Sequence, residues 1–340
     1  MCPHANRNLL CPGTCAPVIK SMKEETCPIC RENECDFETR CRHFFHKDCL
    51  EAAFKNHYNL TCPYCTKQIS FNRDVEKVFQ DPLKLSEKAS SIYLSEELLA
   101  EIRIYAIKNN NLDALKNTIS LGLGIHADND FALRESARSG HFEIVEYLID
   151  QGAYIHADDD YALRESADKG HFEIVKYLVD KGADIHADDD FALRESATRG
   201  NFEIVKYLLD QGANIHAEND YALRESARYG SFEIVKYLLD KGADIHAEND
   251  YALRWSASSG RFRIVKYFVD KGADIHADDD FALRESARYG SFEIVKYLID
   301  KGADIHADDD FALRESATRG NFEIVKYLVD KGTDIHAYNK

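Results

Sequence analysis

The residues best suited to chemistry lie between Cys27 and Cys65, spaced C-x2-C-x10-C-x1-H-x2-H-x2-C-x12-C-x2-C. They supply eight donors in order: Cys27, Cys30, Cys41, His43, His46, Cys49, Cys62 and Cys65. Two tetrahedral zinc ions need eight thiolate or imidazole ligands and nothing else. Each C-x2-C pair sets two thiolates on one tight knuckle, which suits a single ion. A segment of about 45 residues buries too little core to fold alone, so bound metal must supply the missing free energy. Cys35 is left over in the ten-residue spacer.

In ligand order and spacing, residues 27–65 resemble a RING finger of the variant with two central histidines. The resemblance implies a small zinc-bound ββα cross-brace. Cys27, Cys30, His46 and Cys49 would hold the first ion, and Cys41, His43, Cys62 and Cys65 the second. RING domains generally act as ubiquitin ligases, holding a loaded conjugating enzyme beside a substrate without a covalent intermediate, so catalysis is positioning. By the same resemblance Ile29 and Pro63 match apolar contacts on the conjugating enzyme. Two places depart from the family's pattern. Where active members often carry tryptophan this chain has Ala53, followed by Phe54, and where many carry arginine after the last ligand it has Thr66. Threonine lacks the five-donor fork of arginine, so a bridge to ubiquitin at Thr66 is expected to be weaker or absent.

The surrounding chain sets the context for this module. No secretory-type apolar core opens the chain and no run approaches the roughly 18 apolar residues of a membrane span. An intracellular, reducing setting in cytoplasm or nucleus is the expectation, where clustered cysteines are more often metal ligands than disulfides. Residues 1–22 form a Pro- and Gly-broken tail, in which Cys2, His4, Cys11 and Cys15 offer either a third zinc site or free thiols. The finger takes residues 23–70. A helical linker follows over 71–96, with Val75, Val78 and Phe79 at helical spacing before Pro82. Residues 1–96 are charge-neutral, so the net charge of −17 falls wholly on residues 97–340. That excess argues against nucleic acid as the main partner.

Residues 97–340 are an array. From Asp128 the sequence repeats every 30 residues through seven units, starting at Asp128, Asp158, Asp188, Glu218, Glu248, Asp278 and Asp308. A divergent unit, 98–127, precedes them and keeps Leu112, Leu115 and Ile125 in register. In unit 188–217, Asp190 reads as the N-cap of a first helix that Gly200 ends. Asn201 reads as the cap of a second helix carrying Ile204, Val205, Leu208 and Leu209, with Gly212 at its left-handed end. Such a helix pair cannot bury its apolar face alone, so neighbours must stack into a solenoid. No capping repeat follows the last unit, so one side of its helices is expected to be uncovered.

The array resembles ankyrin repeats. GADIHA stands at the family's turn, and Gly230–Asp244 (GSFEIVKYLLDKGAD) matches the second helix. FALR (Phe191–Arg194) replaces the usual Thr-Pro-Leu-His, and the units are shorter than the 33 residues typical of the family. Both features resemble ankyrin proteins of large DNA viruses. The implied fold is mostly α, a RING followed by an α-solenoid, and the implied partners of the array are proteins. Candidate contact residues follow from differences among units. The pair after the first helix varies most and includes Tyr229 and Tyr289. Unit 248–277 alone has Trp255 in place of glutamate, with Arg261 and Arg263 nearby. Packing of Trp255 on the next helix is the alternative. The eight turn histidines, His126 to His336, recur too far apart to share ions. The resulting expectation is a zinc-dependent ubiquitin ligase that recruits a conjugating enzyme through the RING and a substrate protein through the array. A non-enzymatic zinc-stabilised adaptor or decoy for host proteins is the alternative.

Overall fold

The computed structural model describes residues 96–120 and 122–333, together with four two-residue strands near the N-terminus. The chain divides into two compact units, Met1–Leu94 and Ser95–Lys340. In the first, β1 (Phe37–Glu38) pairs antiparallel with β2 (Phe44–Phe45), with Phe37 opposite Phe45. Strand β3 (Leu60–Thr61) pairs antiparallel with β4 (Gln68–Ile69), with Leu60 opposite Ile69.

The second unit is a right-through stack of helix pairs. The divergent unit supplies α1 (Glu96–Lys108) and α2 (Leu112–Ser120). Seven regular pairs follow, from α3 (Ala127–Ser139) and α4 (Phe142–Asp150) to α15 (Ala307–Thr318) and α16 (Phe322–Lys331). The amphipathic second helices explain the stacking, since Ile204, Val205 and Leu208 are at most 1% exposed and Leu209 is half-buried. First helices approach one another through small side chains. Ala162, Ser166 and Ala167 are buried, and the Ser166 hydroxyl donates to the carbonyl of Leu163 at 3.0 Å. Along the second helices a phenylalanine ring meets the tyrosine of the following unit edge-on, as in Phe202–Tyr237 with centroids 5.5 Å apart. Phe322, at the start of α16, is 80% exposed.

Two glycines do what their positions demand. Gly200 ends its helix at φ 83°, and Gly212 turns the chain out of the second helix at φ 103°. The capping expectation fails. Asp188, Asp189 and Asp190 all lie in the left-handed region, with φ of 53°, 51° and 57°, and the same holds for the corresponding triplet of every regular unit. Asp190 therefore cannot cap as expected. Its carboxylate is buried and accepts from the backbone N–H of Asn214 in the next unit at 2.7 Å and pairs with His186 Nδ1 at 3.1 Å. Asn201 occupies the N-cap position without capping, because its side-chain amide donates to Ala167 of the preceding unit.

A left-handed non-glycine residue costs roughly 1–2 kcal/mol, least for Asp and Asn, so three in succession need outside support. The repeat's arginine gives it. Arg164 donates Nε to the carbonyl of Asp159 at 2.7 Å and Nη2 to that of Asp158 at 3.0 Å. Its Nη1 reaches Asp188 of the next unit, also at 3.0 Å. The guanidinium lies 5.3 Å from the Phe191 ring. One fork thus closes its own turn and grips the following unit. The FALR segment that departs from the ankyrin pattern supplies both the aromatic ring and this arginine.

Two outcomes follow. Asp220→Ala removes the buried carboxylate that accepts from the backbone N–H of Asp244 at 2.8 Å. It should cost about 1–3 kcal/mol and lower the urea midpoint, and an unchanged midpoint would contradict this role. Tyr207 and Tyr297 are pushed up to about 12, first by burial and then by their hydrogen bonds to Asp180 and Asp270. The fold favours their neutral form, so this stability is whole below the ordinary tyrosine value of 10.0 and is lost as pH rises toward 12. Absorbance titration should show two late phenols, and ionisation of every tyrosine together near 10 would refute the assignment.

Candidate functional site

The residues with metal chemistry are bracketed by the two hairpins. Cys41 and His43 fall between β1 and β2, and Cys62 and Cys65 between β3 and β4. All eight donors lie outside the described residues, as do Ile29, Phe54, Pro63 and Thr66 and the N-terminal set Cys2, His4, Cys11 and Cys15. Among the described residues no group of three or more metal-ligating side chains converges. Among the described residues the turn histidines instead each face one aspartate, as His156 Nδ1 does with the buried Asp160 at 3.1 Å. A carboxylate only accepts, which places the ring proton on Nδ1. Nor is any helix among the described residues long and apolar enough to cross a membrane.

The array's candidate residues separate into two groups. Tyr229 and Tyr289, at the ends of their first helices, are 52% and 55% exposed. Trp255 is only half-exposed and lies between Tyr251 and Phe281, with ring centroids 5.6 and 5.7 Å away. The Arg228 guanidinium stacks on it at 4.9 Å. Trp255 thus packs within the array, and its indole replaces a glutamate that elsewhere in this column takes an arginine partner, as Glu225 does with Arg228. Arg261 donates Nε to the carbonyl of Arg228 at 3.3 Å, close to Tyr229 along the chain. Arg263 belongs elsewhere: it lies over the Phe232 ring at 3.5 Å and pairs with Glu233 on the second-helix layer.

Arg199, Arg228, Arg288 and Arg319 belong to the variable pairs after the first helix that the sequence offers as contact positions. Burial pushes the Asp168 carboxyl up, but hydrogen bonds from Lys169 and Arg199 outweigh it and hold the group below the usual range. Burial, with Asp168 nearby, pushes the Glu195 carboxyl up, and the pull of Arg199 and Arg194 does not offset it.

Comparison with known proteins agrees with both halves. The family model described as ankyrin repeats (3 copies) matches residues 104–189, 186–249 and 253–339, more than half of the chain. The Ring finger domain model matches residues 18–66. A putative RING-H2 finger protein ATL19 of Arabidopsis thaliana is 40% identical over 55 residues, which is 15% of this chain and 30% of that protein. The chain therefore spans under a third of that relative's length. Among solved structures, the crystal structure of human ASB11 ankyrin repeat domain matches with a TM-score of 0.54 and 23% identity. The match covers 59% of this chain and 98% of that one. At that identity the likeness is one of fold. On these grounds the chain belongs to the ankyrin-repeat proteins, and it carries a RING finger of the two-histidine type ahead of its array.

Proposed function

We propose that the protein is a RING-type ubiquitin ligase whose ankyrin array selects the protein to be modified. The observation that carries this is the joining of an eight-donor, H2-type RING to a stack of ankyrin repeats. Six thiolates and two imidazoles fit two zinc ions in number and softness. Cys27, Cys30, His46 and Cys49 would hold one, and Cys41, His43, Cys62 and Cys65 the other. Bound zinc supplies folding free energy to a segment with little core and takes no part in transfer.

The rest is done by the chain's own residues. Ile29 and Pro63, each inside a C-x2-C pair, offer apolar contacts to a conjugating enzyme, and Phe54 offers a third. Holding that enzyme near a bound substrate raises the effective concentration of the attacking lysine. Thr66 has one hydroxyl where an arginine fork would make several charge-assisted contacts, so the closed arrangement gains less from this position. That feature also favours a second reading, a zinc-stabilised adaptor that binds without transferring ubiquitin.

The test uses the zinc-loaded full chain with ubiquitin, activating enzyme and a panel of conjugating enzymes. Ubiquitin chains should form, vanish with Cys27→Ser, and fall about tenfold or more with Ile29→Ala. Thr66→Arg should raise the rate. Silence across the panel from folded protein carrying two zinc ions would sink the ligase reading in favour of the adaptor. Chelation should release zinc and abolish transfer while leaving the helical signal of the array intact. Loss of that helical signal on chelation would contradict the separation of the two parts.

A further inference from the structure

The ridge where each first helix hands over to the second differs in chemistry from the rest of the array. Residues 97–340 carry 47 acidic against 30 basic side chains. Across five consecutive units this ridge instead presents Arg199, Tyr229, Ser259, Tyr289 and Arg319 in one register position. Arg199 and Arg319 are 56% and 43% exposed, beside tyrosines that are more than half exposed. The preceding position adds Arg228 and Arg288. Their guanidinium carbons lie 5.6 and 5.7 Å from the Tyr229 and Tyr289 rings, and Arg319 approaches Tyr289 from the next unit at 5.5 Å. Internal partners leave donors to spare. Arg199 uses Nε on Asp168, and Arg228 makes one 3.5 Å contact with Glu225, out of five N–H groups each.

We infer that this ridge is the docking strip of the array, and that its occupant is an extended acidic segment of a partner protein bearing a bulky apolar side chain. The inference rests on the reading of the array as the protein-selecting half and names the chemistry it selects. Charge complementarity carries it: arginine forks bind carboxylates bidentately, and tyrosine and arginine are the side chains that concentrate binding energy at interfaces. Shape agrees with charge. Tyr229 and Tyr289 stand two units apart, about 20 Å at the usual helix spacing. An extended peptide covers that distance in about six residues. Between the rings the register position is Ser259, a small residue that leaves room for an apolar side chain. A nucleic acid suits the strip less well, because its phosphates beyond these units meet an acidic surface. Trp255 acts through Arg228, on which it stacks, and so positions that guanidinium.

The chain has one tryptophan, so its emission reports on this place alone. The full-length, zinc-loaded protein is titrated with three labelled probes. One is a short peptide of glutamate and aspartate around a central phenylalanine, the second its counterpart with lysine at every acid, and the third a single-stranded oligonucleotide of similar length. The acidic peptide should bind, shift Trp255 emission and weaken with salt. Tyr229→Ser with Tyr289→Ser should weaken it about tenfold or more. Those substitutions are fold-compatible, because Ser139 and Ser259 already occupy the same register position. Tyr154→Asp, the residue found at Asp184 and Asp244, should leave binding unchanged. The inference is overturned if the acidic peptide does not bind, if the lysine peptide matches it, or if the oligonucleotide binds more tightly. It is overturned equally if the double variant binds normally, or if sedimentation shows that the strip instead holds a second copy of this chain. No conjugating enzyme is present, so binding by a protein silent in ubiquitin transfer separates this result from the ligase reading.

Discussion

The array depends on one arginine per repeat. Arg164 and its equivalents hold a turn of three left-handed acidic residues that the backbone would otherwise disfavour. At Arg134, Arg164, Arg254 and Arg284 the same guanidinium reaches the next unit's aspartate and lies against its aromatic ring. The turn then offers the buried Asp160 carboxylate to the backbone of Asp184, again one unit on. Local strain and coupling between units are therefore one interaction. A unit whose neighbour is absent loses an acceptor for its arginine and a donor for its aspartate, in addition to buried apolar surface. This is the nearest-neighbour behaviour that makes solenoids stable only as stacks.

Much of this was legible in the chain and some was not. Eight donors at fixed spacing mark the RING finger that the family model matches over residues 18–66. The 30-residue period, the apolar pattern of Ile204–Leu209 and the punctuation by Gly200 and Gly212 likewise declare stacked helix pairs. The triplet Asp188–Asp190 misleads because an acidic residue ahead of an apolar helix is the ordinary cap signal. Its real conformation is set by Asn214, 24 residues on, which donates to the carboxylate, and by the nearby Arg194, which donates to the carbonyls of Asp188 and Asp189. Trp255 misleads for a similar reason. Its residue type suits an interface, yet Arg228, Tyr251 and Phe281 enclose it, and the exposed rings are Tyr229 and Tyr289.

The two halves divide the labour by different physics. In the proposed function, metal bonds to the finger's donors replace the core that so short a segment lacks. The array buries a continuous apolar core and leaves selection to whichever side chains its ridge exposes. An arginine–tyrosine strip on an acidic solenoid gives that selection a sign, attracting carboxylates to one edge and repelling phosphate elsewhere.

The measurement nearest the centre of this account is single-turnover discharge. A conjugating enzyme preloaded with ubiquitin is mixed with free lysine and the zinc-loaded full chain, and the thioester is followed in time. The account predicts faster discharge with the protein than without it, and no acceleration with Cys27→Ser. Equal rates with and without folded, zinc-loaded protein, across conjugating enzymes, would contradict it.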